Sequence, residues 1–148
     1  MVKQQTFVDV PLFEIKDFTM YELDKIGLQT IMIGNSATRY SDRYTIKTMD
    51  YTDNEKNYIA NMKADHAIYK DDFVTLSGNV TYLRDDGLTF QTQKALYNKK
   101  TSITTSDVGY VAYLNDSIIK GSYIQYNNNK NRIFSKNVQA KIQLKEGK

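Results

Sequence analysis

Met62-Lys63-Ala64-Asp65-His66-Ala67-Ile68-Tyr69 and Phe90-Gln91-Thr92-Gln93-Lys94-Ala95-Leu96-Tyr97 are two copies of one pattern, with an apolar residue seven before a tyrosine and an alanine two before it. The pattern extends outward in both directions. Tyr40, Tyr69, Tyr97 and Tyr126 stand 28 or 29 residues apart, and Ile33, Met62, Phe90 and Ile119 precede them by seven. Ala37, Ala67, Ala95 or Ile124 falls two or three positions before each tyrosine, and Val80, Val108 and Val138 follow the last three by 11 or 12. A fixed period of this size means one supersecondary unit, copied and stacked. Each unit carries an apolar face that it cannot bury alone, so its neighbours must cover it. The expected object is elongated, with one continuous apolar strip, and suits a long apolar ligand better than a small substrate.

The units read as strands. Leu88-x-Phe90-x-Thr92, Val108-x-Tyr110-x-Ala112-x-Leu114 and Val138-x-Ala140-x-Ile142-x-Leu144 alternate with the period of two that places a set on one sheet face. Turn residues punctuate them: Thr52-Asp53-Asn54-Glu55, Lys70-Asp71-Asp72, Asp85-Asp86-Gly87, Asn98-Lys99-Lys100, Asn115-Asp116 and Asn127-Asn128-Asn129. Asp86-Gly87 between Val80-x-Tyr82 and Leu88-x-Phe90 is a hairpin signal. No segment reads as a helix. Phe13-x-Ile15-x-x-Phe18-x-Met20, followed by Gly27, is better read as a bent strand than as a helix over 20–26. Gly34, Gly78 and Gly121 fall in or beside strand-like runs, where glycine marks a bulge or a close backbone approach. The fold class is therefore all-β, a sandwich, barrel or roll.

A chain of 148 residues suits one domain, and 41% apolar residues with a mean hydropathy of −0.57 give it a thin core. Its net charge of +3, from 20 basic and 17 acidic residues, is too mild for a nucleic-acid partner, since no stripe of Lys and Arg follows one segment. It leaves room only for weak attraction to anionic lipid head groups. Cysteine is absent, which removes disulfides, thiol nucleophiles and Cys metal sites. No stretch approaches the roughly 20 apolar residues of a membrane span.

Catalytic constellations are missing. His66 is the single histidine, and one His without Cys supplies too few ligands for a metal. Asp71-Asp72 and Asp85-Asp86 lack the calcium-loop pattern and read as solvated turns. No nucleophile elbow, phosphate loop or dinucleotide fingerprint occurs. The expectation is a binding protein with no catalytic residue, metal or cofactor. The tyrosines admit two readings: a stacking platform for sugars or single strands, or a repeated packing position with the hydroxyl at the rim. The second is favoured because the whole apolar pattern repeats, not the tyrosines alone.

The chain resembles the LptC family of the bacterial lipopolysaccharide transport machine and, more broadly, the OstA/LptA-type β-jelly-roll repeat. The resemblance rests on Phe13-Glu14-Ile15-Lys16-Asp17-Phe18-Thr19-Met20-Tyr21 followed by Gly27, then Tyr40-Ser41-Asp42, Lys63-Ala64-Asp65-His66-Ala67, Leu76-Ser77-Gly78-Asn79-Val80 and Ser135-Lys136-Asn137-Val138. It spans roughly residues 11 to 144, carried by the order and spacing of short motifs. LptC-like proteins have an N-terminal transmembrane helix and this chain has none, so the resemblance implies an anchor missing before residues 1–10, a jelly roll over 11–144 and a tail over 145–148. A soluble LptA-like periplasmic bridge is the alternative.

The resemblance implies a twisted jelly roll of stacked antiparallel strands with an apolar interior slot. It implies a non-enzymatic relay in the periplasm, anchored to the inner membrane, that takes lipopolysaccharide from an LptB/F/G-like ABC transporter to an LptA-like bridge. The expected lining is Ile33, Met62, Leu88, Phe90, Tyr97, Ile119 and Tyr126, foremost the repeat positions Ile33, Met62, Phe90 and Ile119. Phe90 is expected to matter more than Tyr82. The last strand, with Val138, Ala140, Ile142 and Leu144, is expected to lie at an edge and receive the bridge by strand addition. From another class, a β-solenoid carbohydrate-binding or structural module would turn the tyrosines outward.

Overall fold

The structure, a computed structural model, describes residues 9–25, 27–54, 59–127, 129–130 and 132–142. It is all-β and jelly-roll-like: twelve antiparallel strands in one open sheet, with no α-helix among the described residues. In chain order these are β1 (Phe13–Asp24), β2 (Gly27–Arg39), β3 (Tyr44–Asn54), β4 (Ile59–Lys70), β5 (Phe73–Arg84), β6 (Leu88–Asn98), β7 (Ile103–Ser106), β8 (Tyr110–Leu114), β9 (Ser117–Gly121), β10 (Tyr123–Asn127), β11 (Arg132–Lys136) and β12 (Gln139–Lys141).

β1 to β6 are long and pair in sequence order. Beyond β6 the sheet forks. Leu88–Thr92 of β6 pair with β8, and Leu96–Asn98 pair with β7. β7, β10 and β11 continue one branch, while β8, β9 and β12 continue the other. Each of the pairs β7/β8, β9/β10 and β11/β12 is thus one long strand broken in its middle.

The break runs through the whole sheet. Pairing lapses between Lys16↔Ser36 and Phe18↔Gly34, between Lys47↔His66 and Met49↔Ala64, and between Ser77↔Lys94 and Val80↔Thr92. Along the same line the backbone turns left-handed, with φ of 50° at Asp17, 56° at Thr48, 82° at Gly78, 49° at Asn79, 93° at Gly109 and 55° at Asn137. Gly78 sits there because a side chain would be strained at that φ and its Cβ would stand 2.7 Å from Asp65 Oδ2. This corner line divides the sheet into two halves that bury the same face in one cluster. Met32, Met49, Ala64 and Val80 come from one half, and Ile46, Ala67, Val74, Leu76 and Ala95 from the other.

Side chains replace the ladder bonds lost at the corner. Asn35 Nδ2 donates to Thr48 Oγ1 at 3.2 Å, Asn79 Nδ2 to Asp65 Oδ2 at 2.9 Å and Asn137 Nδ2 to Ser122 Oγ at 2.7 Å. Thr92 Oγ1 donates to the Gly109 carbonyl at 2.7 Å and lies 2.8 Å from Ser106 Oγ. The corner also accounts for the sequence period. Asp65, Asn79, Gln93, Asp107, Ser122 and Asn137 stand 14 or 15 residues apart, half of the tyrosine interval. One repeat is therefore two strands, up and down.

Most local readings hold. Residues 20–24 belong to β1, and Asp86-Gly87 closes the β5–β6 hairpin with φ 109° at Gly87. Asn98 Oδ1 accepts from the backbone N–H groups of Lys100 and Thr101, and Asn127 Oδ1 from those of Asn129 and Lys130. The turn expected at 52–55 begins later, because β3 pairs with β4 through Asn54; Glu55 lies outside the described residues. The valine repeat splits. Val80 is buried in β5, whereas Val108 and Val138 sit in the corner and are exposed, since there the strand is broken.

Candidate functional site: the apolar inner face

The buried face is built from cross-strand rows. Met20, Met32, Tyr51, Met62, Tyr82, Phe90, Ala112, Ile119 and Ala140 are successive partners from the β1 edge to the β12 edge. This row brings together Met62, Phe90 and Ile119, three of the four repeat positions. Ile33 does not join them. It pairs with Asp50 on the opposite face and is 49% exposed, while its neighbour Met32 takes the inner position at 8%. The register on β2 is one residue from the sequence expectation, and a one-residue slip exchanges the faces. Tyr82 also differs from expectation, because it stands opposite Phe90 on the same face. Leu88 shares the Phe90 face and pairs with Leu114 near the hairpin end.

In the other half, Tyr69, Val74, Tyr97, Thr104 and Tyr126 form a row, continued by Arg39 and Tyr44 on one side and Ile133 on the other. Beside it run Ala37, Ile46, Ala67, Leu76 and Ala95. Tyr69 and Tyr97 lie beside Ala67 and Ala95, while the smaller Val74 between them lies beside Leu76, so large and small residues offset one another across the two rows. Tyr69 and Tyr97 pack on the core, and burial raises the Tyr69 hydroxyl above its ordinary pKa of 10.0. Tyr69, Tyr97 and Tyr126 therefore share the face that carries the core. Tyr40 stands apart, in the turn after β2 with the Arg43 guanidinium 4.0 Å from its ring centre. Most of the face is half-buried. The surface depressions around Phe73, Leu96 and Ile103, and around Ile118, Lys120 and Lys141, lie on the opposite face.

Tyr110 joins the two branches. Its ring stacks on Phe90 at 5.3 Å and 19°, and its hydroxyl lies 2.8 Å from Ser135 Oγ of β11. Ser135 Oγ in turn donates to the Tyr123 carbonyl at 2.7 Å. Gly121 and Gly34 leave room for rings: a Cβ at Gly121 would stand 2.6 Å from Tyr110 Cε1, and one at Gly34 would stand 2.6 Å from Phe18 Cε1. The sequence marked both glycines, but the ring that each accommodates comes from another strand and was not legible.

Both sheet edges are apolar and exposed: Phe13, Ile15 and Met20 on β1, Ile133 and Phe134 on β11. The C-terminal strand is shorter than expected. β12 covers residues 139–141 and pairs with β9 alone, so it is an edge, with Ala140 opposite Ile119. Val138 and Ile142 flank it, exposed at 48% and 62%, and Leu144 lies outside the described residues. At the hairpin end, Arg84 clamps Asp86 through two bonds of 3.0 and 2.7 Å, which hold the Asp86 carboxyl below its ordinary value. His66 is exposed on β4, opposite Lys47 and Ser77. Among the described residues no cluster of three metal-ligating side chains occurs, and no helix is long and apolar enough to cross a membrane.

Residues 3–143 match the family model described as lipopolysaccharide-assembly, LptC-related. No curated protein matches the chain.

Proposed function

The chain belongs to the LptC-related family of lipopolysaccharide-assembly proteins, whose work is lipopolysaccharide transport, and from that premise we propose that it is a non-enzymatic relay for the lipid itself. Its acyl chains lie along the inner face, across Met62, Phe90 and Ile119 in one half and Tyr97 and Tyr126 in the other, with Leu88 near the β5–β6 hairpin end. Met32 takes the place assigned from sequence to Ile33. The carrying observation is that the inner rows run from one open edge of the sheet to the other.

Transfer energetics require such a surface. Exposing methylenes to water costs ~0.8 kcal/mol each, so a chain of about twelve carbons costs ~10 kcal/mol. A lipid with several chains crosses an aqueous space only if burial stays nearly constant along the path. Edges at β1 and at β11 and β12, unpaired among the described residues, let a partner strand extend the surface without a gap. In this reading β1 faces an LptB/F/G-like ABC transporter that supplies the energy. The C-terminal edge, with Val138, Ala140, Ile142 and Leu144, faces an LptA-like periplasmic bridge, and the protein works in the periplasm from an inner-membrane anchor.

The test compares Phe90→Asp with Gln91→Asp, adjacent residues on opposite faces, for binding of labelled lipopolysaccharide by variants whose circular dichroism is unchanged. A carboxylate against acyl chains is penalised by several kcal/mol, so Phe90→Asp should weaken binding by at least about tenfold and Gln91→Asp should not. Equal binding by both would remove the inner face from the path.

A further inference from the structure

We propose that Arg39 is a phosphate-recognition residue at the mouth of the inner face, and that it fixes which way a phosphorylated lipid lies across the sheet. The proposal rests on the relay reading and adds to it the end of the strands at which the anionic head group sits.

Four observations carry it. Arg39 ends β2 in the same cross-strand row as Tyr44 and Tyr69, so it belongs to the inner face and not to the outer surface. Its guanidinium lies 4.4 Å from the centre of the Tyr44 ring. Stacking on an aromatic face orients the planar fork while leaving its N–H groups free to donate. Among the described residues no carboxylate pairs with it. Two acids at this end are committed elsewhere: Asp42 to Arg43 at 2.7 Å and Lys70 at 3.5 Å, Asp9 to Arg43 at 3.3 Å. Finally, the two ends of the strands differ in charge. The Arg39 end carries Arg43, Lys70, Lys99, Lys100, Lys130 and Arg132 against Asp42, Asp71 and Asp72, whereas the far end carries Asp53, Asp85, Asp86 and Asp116 against Lys25, Lys141 and Arg84, the last neutralised by Asp86.

An oriented guanidinium without a counter-ion, beside an apolar surface, is matched by a phosphate monoester attached to acyl chains. The fork donates two parallel N–H bonds to two phosphate oxygens while the chains lie on the rows beyond. The acidic far end repels the same phosphate. A lipid bound this way keeps one orientation as it moves along the rows, because reversal would bring its phosphate to Asp85, Asp86 and Asp116.

The experiment measures binding of bisphosphorylated hexa-acyl lipid A and of its dephosphorylated counterpart in EDTA, so that no divalent ion bridges the phosphates. Wild type, Arg39→Gln, Arg39→Lys and Phe90→Asp are compared, each checked by circular dichroism. Wild type should prefer the phosphorylated lipid by about tenfold, the size of one charge-assisted contact. Arg39→Gln should abolish that preference while binding the dephosphorylated lipid as wild type does, and Arg39→Lys should keep part of it. An Arg39→Gln protein that retains the full preference, while Phe90→Asp loses both lipids, would overturn this proposal and leave the relay reading standing. Wild type binding neither lipid would overturn both. Millimolar inorganic phosphate that erases the preference would reassign Arg39 to free phosphate and overturn the lipid assignment.

Discussion

Gly121→Ala tests how the two branches of the sheet are held together. The new Cβ would stand 2.6 Å from Tyr110 Cε1, 3.0 Å from Tyr110 Cζ and 3.0 Å from Ser135 Oγ. The ring cannot withdraw cheaply, because Tyr110 is only 6% exposed, stacked on Phe90 and tied to Ser135. Displacing it forfeits the stacking, about 0.5–1.5 kcal/mol, and the hydroxyl bond, about 0.5–1.5 kcal/mol. The loss of unfolded-state entropy on replacing glycine returns about 0.4–1 kcal/mol. The net expectation is a destabilisation of about 1–2 kcal/mol, which for a chain of this size lowers Tm by about 2–8 °C. Thermal and urea unfolding should be run on Gly121→Ala, Tyr110→Ala and the double variant. In the Tyr110→Ala background the added methyl should be neutral or slightly stabilising, giving a coupling of about 1–2 kcal/mol between the two positions. Gly121→Ala with wild-type stability, or additive single effects, would show that the ring moves freely and that Tyr110 does not lock β8 to β11.

Ala67 is fully buried between Ile46 and Leu76, so Ala67→Leu should overpack the row and cost about 1–3 kcal/mol in urea unfolding; unchanged stability would mean that the inner face has open space there. Ala140→Pro should weaken capture of an LptA-like bridge by at least about tenfold in surface plasmon resonance, far more than it weakens lipopolysaccharide binding, because proline removes a ladder donor from a three-residue edge strand. Tyr69 has a folded pKa raised by burial above 10.0, so the stability it contributes is complete below that pH and is lost as pH rises through the folded value. Tyr69→Phe should therefore unfold less steeply than wild type between neutral pH and about pH 11.

The strand content and the tyrosine period were legible because both are local. Alternation of apolar and polar residues specifies a half-buried strand wherever it folds, and Asp-Gly or Asn-Lys punctuation specifies a turn from the backbone outward. The same locality explains why Met62, Phe90 and Ile119 could be grouped: residues separated by whole repeats return to one row when every strand has the same length. Ile33 failed for the complementary reason. In β2 the apolar run Ile31-Met32-Ile33 has no alternation, so the sequence holds no sign of which residue turns inward.

The sequence by itself determined an all-β chain, the 28- or 29-residue repeat, the hairpin turns and the apolar character of one face, because each is written in residue spacing and backbone preference. Only the tertiary structure decided the corner line, the fork after β6, the Met32-for-Ile33 register and the pairing of Gly121 with the Tyr110 ring. Those depend on contacts between strands remote in the chain, where left-handed residues such as Thr48 and Asn137 are held by partners such as Asn35 and Ser122. The free guanidinium of Arg39 belongs to the same class. Arg43 has Asp42 beside it in the sequence, but the second partner Asp9 and the seating of Arg39 on the Tyr44 ring are decided only by the fold.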